Sequence, residues 1–150
     1  MNLEQIRQDL ATILSDAPGR VRIDATEPDR VEPPAGGVAV YVMPSTTQDY
    51  IEPDETFGRT GQCTVHLTVV VVANIATDGP GAQVLLDRYL STDTDESLWQ
   101  LVWDGNTRRT AQNLSTYHVV GFGRVGERAL ATSGARVVVA EMDVDFMTAK

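Results

Sequence analysis

The sequence has a single cysteine, Cys63, so no disulfide can form within it, and synthesis and folding in a reducing cytoplasm are expected. It has no long apolar run. The longest, Val69 to Ala73, is strand-sized and far short of the ~20 residues a membrane-crossing helix needs, so no membrane partner is expected. Its opening, Met1-Asn2-Leu3-Glu4-Gln5, shows neither the basic nor the apolar region of a signal peptide. Basic residues are scarce: Lys plus Arg number 12 against 21 Asp plus Glu, a formal charge of −9. A phosphate backbone is gripped by a basic surface, so tight DNA or RNA binding is disfavoured, although an acidic surface can face nucleic acid without holding it.

What is present suffices for one core. At 150 residues the chain is near the usual single-domain size and buries roughly 70% of its unfolded surface. Leu3, Ile6, Leu10, Ile13 and Leu14 recur at helical spacing, which predicts an amphipathic helix over Asn2 to Asp16, with Asn2 as N-cap and Pro18-Gly19 as its stop. Val21 to Ala25 and Val38 to Met43 read as strands, separated by a Pro- and Gly-rich connection, Thr26 to Gly37. Pro44 to Gly61 reads as a second long polar connection. Gln62 to Ile75 alternates strongly: Cys63, Val65, Leu67, Val69 and Val71 share one face, and Thr64, His66, Thr68, Val70 and Val72 the other. Pro80 opens a helix with a stripe of Ala82, Leu85, Leu86 and Tyr89. A second short helix is capped by Asp93 and Glu96 and ends at Asp104-Gly105-Asn106. Thr116 to Phe122 and Gly134 to Met147 close the chain as strands. Helices cluster instead of alternating with every strand, which predicts one α+β domain over residues 1–150. Its mainly antiparallel sheet is flanked by an N-terminal helix and a central helix pair.

Catalytic patterns are weak. Gly121-Phe122-Gly123-Arg124-Val125-Gly126 spells GxGxxG, with Glu141 about where a ribose-binding acid would sit, but there is no room for the helix that must follow. A bulged strand leading into a hairpin is the better reading. Cys63 and His66 lie three apart on a strand, on opposite faces, so they read as a buried Cys and a surface His. Asp93, Asp95 and Glu96 fail the calcium-loop pattern and read as helix capping. Glu141, Asp143 and Asp145 share a strand face and form an acidic stripe. No catalytic, cofactor-binding or metal site is expected.

The order of elements resembles a known family. The residues that carry this are the helix Leu3–Leu14, the approach Glu32-Pro33-Pro34-Ala35 into Val38–Met43, and Tyr50-Ile51 with Phe57-Gly58. The long strand Cys63–Val72, the helix with Leu85-Leu86-Asp87 and the closing strand pair complete the set. Together they are similar to tail terminator proteins of long-tailed phages, particularly those of actinobacterial hosts. The resemblance implies a virion protein of the tail or neck, a tail terminator first and another neck or tail-tube subunit as the alternative; outside the family, a small cytoplasmic ligand-binding domain or an enzyme is the remaining reading. Six copies would form a ring that caps the tail tube, contacting the tail-tube protein and the neck or head-completion proteins while DNA passes through without specific binding. Gln48, Tyr50, Ile51 and Phe57, in the second long connection, are the expected contacts to a neighbouring subunit or the tube. Glu141, Asp143 and Asp145 are the candidate lining of the central channel, with an outer face in solvent as the equal alternative.

Overall fold

The computed structural model of the protein describes residues 2–24, 33–53, 63–75, 81–111, 116–129 and 134–147. In chain order these form α1 (Leu3–Leu14), β1 (Val21–Asp24), β2 (Val38–Pro44), β3 (Ile51–Pro53), β4 (Cys63–Asn74), α2 (Gly81–Leu90), α3 (Leu98–Ala111), β5 (Thr116–Ala129) and β6 (Arg136–Met147). The strands make one sheet in the order β1-β2-β4-β6-β5, with β3 also beside β4. Every pairing is antiparallel except β1 with β2, which is parallel from Val21↔Val38 to Asp24↔Tyr41. The class is α+β, as the sequence predicts.

The helices cover one face of the sheet. Ile6, Leu10 and Leu14 of α1, Ala82, Leu86 and Tyr89 of α2, and Leu98 and Val102 of α3 bury themselves against alternate residues of the strands. Those partners are Val38, Val40 and Val42 in β2, Cys63 through Ala73 in β4, and Val138, Ala140, Met142, Val144 and Phe146 in β6. Period-2 alternation in the strands and the 3.6-residue stripe in the helices thus meet in one core. The start of α1 follows its sequence signal: the Asn2 side chain accepts from the Gln5 amide at 3.1 Å. The opposite face is divided. Ala39, Tyr41, Val70, Val72, Val137 and Val139 form a second buried cluster, and beyond it along β4 and β6 the same face turns polar.

Several expectations change. The helix over residues 98–111 does not stop at Asp104-Gly105-Asn106. Gly105 is buried inside α3, where an added Cβ would lie 3.2 Å from Ile13 of α1, so this glycine serves a close helix approach, not a terminus. The N-cap of α3 is Ser97, whose Oγ accepts from the Gln100 amide at 3.1 Å, in place of Asp93. Within Pro44–Gly61, β3 is a strand the sequence reading missed: three residues that pair with β4, from Ile51↔Val65 to Pro53↔Cys63. Most of the Thr26–Gly37 connection lies outside the described residues. Its end is a tight turn, with Gly37 N–H donating to the Pro34 carbonyl and Gly36 at φ +69°.

β5 runs through the glycine segment. Register shifts between Val119 and Gly121 and between Phe122 and Val125 bulge the strand, and the pairing then continues to Ala129↔Arg136. The bulged-strand reading of GxGxxG holds: the strand runs on through the glycines to Ala129, and Gly121 and Gly126 sit in ladder positions opposite Asp143 and Val139.

Candidate functional site

β2 and β3 lie along the same side of β4, interrupted at Ser45–Tyr50. Both ends of the interruption rest on one residue. Ser45 N–H donates to the His66 carbonyl at 3.0 Å, and His66 N–H donates to the Tyr50 carbonyl at 2.9 Å. The intervening residues fold over the polar part of the helix-free face. Thr46 N–H donates to Thr68 Oγ1 at 3.1 Å, and Thr46 Oγ1 reaches across β4 to Glu141 Oε2 at 3.3 Å. Thr68 Oγ1 lies 3.5 Å from Asp143 Oδ1.

His66 is the centre of this face. Only 6% exposed, it corrects the expectation of a surface histidine. The β4–β6 register sets it directly opposite Asp145, and Glu52 of β3 closes from the other side. Nδ1 is 2.6 Å from Asp145 Oδ1 and Nε2 is 2.7 Å from Glu52 Oε2. A neutral imidazole has one N–H, whereas two carboxylates ask for two donors, so the arrangement fits the imidazolium. Burial alone would lower the His66 pKa. The hydrogen bonds and charges of Glu52 and Asp145 overcome it and raise the pKa above the ordinary 6.5. With both nitrogens occupied and the carboxylates on opposite sides of the ring, these groups do not converge on a common point. Among the described residues, no group of three His, Cys, Asp or Glu side chains is placed to hold a metal ion.

The expected site residues are distributed as follows. Glu141, Asp143 and Asp145 do share a face, each half-buried, and they are engaged by Thr46, Thr68 and His66. That face is not polar throughout, since Val137 and Val139 on the same side of β6 are buried. Gln48 is exposed, with its amide donating to Ser45 Oγ at 3.0 Å. Tyr50 and Ile51 turn inward and pack on the helix-side core. Phe57 lies outside the described residues. The acidic stripe and the loop, two separate features in sequence, therefore meet through Thr46 and Glu141. Cys63 is buried in the helix-side core and does not meet His66. What sequence reasoning missed is Glu52–His66–Asp145. Its one signal was a histidine on the polar side of the strongest strand, and Asp145 is 79 residues away.

A second surface lies at the β5 edge. Val120, Phe122 and Val125 are each about half exposed on this outermost strand. On α3, Trp99 and Trp103 stack with ring centroids 6.1 Å apart, and Trp103 is 59% exposed. Trp99, Val102 and Trp103 line a cavity of about 100 Å³ together with His118 and Val119 of β5, so α3 meets the edge strand at this point. No described helix is long and apolar enough to cross a membrane. No protein-family model matches the sequence, and no curated protein matches it.

Proposed function

We propose that the protein is a structural subunit that assembles with copies of itself into a ring, as a tail terminator of a long-tailed phage. The observation that supports this reading is the apolar edge of β5 and α3. Phe122, Val125 and Trp103 are large apolar side chains left open to water on one margin of the sheet, where another protein surface would cover them. The sheet has a different margin at β1, so one copy offers two unlike edges. Contacts between unlike patches run head to tail and close into rings when the rotation allows. In this reading the ring caps the tail-tube protein and meets the neck proteins. The formal charge of −9 disfavours any hold on the DNA that passes, and no catalytic step or cofactor is assigned to the chain.

The test is mass in solution, by native mass spectrometry, of wild type and of Phe122→Asp/Val125→Asp, each with and without tail-tube protein. Wild type forming a closed ring, alone or with the tube protein, while the variant stays a folded monomer supports the proposal. A variant that assembles as wild type does, or a wild type that remains monomeric in both conditions, overturns it.

A further inference from the structure

Residues 45–53 are held to the sheet by little. β3 has three residues, and Pro53 brings no backbone N–H to its ladder. The Tyr50 hydroxyl is enclosed with no hydrogen-bond partner among the described residues, so it adds no polar link to the docked position. Against this stand the inward packing of Tyr50 and Ile51, the Thr46 contacts, and the ion pair from Glu52 to His66. Of the two carboxylates on His66, Asp145 belongs to β6 and stays with the sheet, while Glu52 belongs to the segment itself.

We infer that residues 45–53 form a strap that docks on the sheet while His66 carries its proton and lifts when that proton is lost to solvent. With the proton, Nδ1 donates to Asp145 and Nε2 to Glu52. Without it, one N–H remains. Asp145, in direct register and mostly buried, retains it, and Glu52, 67% exposed, is left facing a lone pair. The other charged or titratable groups around His66 do not replace this link. Asp143 faces Thr68, and His118 of β5 stands across Asp145 in register with its Nε2 2.9 Å from Thr116 Oγ1. Asp49 is exposed on the strap, and Thr64 and Thr68, the neighbours of His66 on its own strand face, are uncharged. The inference stands apart from the ring reading.

The experiment is hydrogen exchange read by mass spectrometry on the full chain between about pH 5 and pH 9, spanning the histidine range, with rates corrected for intrinsic pH dependence. Protection of residues 45–53 falls as pH rises, about tenfold for each unit by which docking displaces the His66 pKa, while residues 67–73 of β4 stay protected. His66→Gln removes the pH response of the strap. Glu52→Gln, an exposed change outside the core, removes it too and decides the matter if His66→Gln does not fold. Strap protection that is flat with pH in wild type, β4 amides that exchange as fast as those of the strap, or an undiminished pH response in Glu52→Gln would each overturn the inference.

Discussion

Tyr117 joins the first helix to the edge of the sheet that carries the proposed contact surface. Its side chain is fully buried, its ring lies 4.8 Å from that of Phe146 at 52°, and its hydroxyl donates to the Ile6 carbonyl of α1 at 2.6 Å across 111 residues of sequence. Tyr117→Phe removes the hydroxyl and keeps the ring. The Ile6 carbonyl lies inside α1, where it also serves the helix ladder, so losing the tyrosine does not orphan it. The expected loss is therefore that of one net hydrogen bond, about 1 kcal/mol, or about 2–4 °C in Tm for a domain of this size. Tyr117→Ala also removes the ring from a closed core and should cost about 3–5 kcal/mol. Urea denaturation followed by circular dichroism separates the two, provided the m-value is unchanged. Equal losses in the two variants would mean that the ring contributes nothing beyond the hydroxyl. No loss in Tyr117→Phe would mean that the helix-to-edge bond contributes nothing. Either result refutes the reasoning.

The raised pKa of His66 fixes the sign of a pH effect. Its contribution to stability is complete below the unfolded value near 6.5 and fades as pH rises through the folded value, so urea midpoints should decline across that range in wild type and less so in His66→Gln. Charge reversal should discriminate within the acidic stripe. Glu141→Lys with Asp143→Lys should leave a folded protein, whereas Asp145→Lys sets an ammonium against the imidazolium and should cost about 2–3 kcal/mol by the same assay. Two glycines should differ as well. At Gly37 an added Cβ lies 2.0 Å from the Arg20 carbonyl oxygen, so Gly37→Ala must part β1 from β2 and should cost about 2 kcal/mol or more. At Gly105 the Cβ meets Cδ1 and Cγ2 of Ile13 at 3.2 Å, a side chain that can give by a few tenths of an ångström where the Arg20 backbone cannot, and the helix preference of alanine offsets that crowding, leaving Gly105→Ala within about 1 kcal/mol of wild type in thermal unfolding.

The parts of this fold legible in the sequence are those whose cause is local. The stripe of α1, its Asn2 cap, and the alternation of β4 and β6 each place an element and its buried face without knowledge of any partner. The parts that were not legible depend on distant chain. β3 is a strand only because β4 lies beside it, and the three-residue run Ile51-Glu52-Pro53 carries no periodicity of its own. Gly105 looks like a helix end until Ile13 of another helix is found against it. The acidic stripe was readable as a shared strand face. Its engagement by His66 and Thr46 was not, because register between β4 and β6 and the path of the 45–50 loop decide it.

The interruption between β2 and β3 has both feet on the backbone of His66, one on its carbonyl and one on its amide. Residues gained or lost between those feet leave the ladder on either side in register, because neither pairing depends on the distance travelled between them. Length at this point is thus uncoupled from the phase of the sheet, whereas an insertion inside β4 or β6 would turn every following side chain to the wrong face. Among the described residues, Thr46–Asp49 is accordingly a place where the chain can accept a foreign peptide or an epitope while the strands that frame it keep their partners.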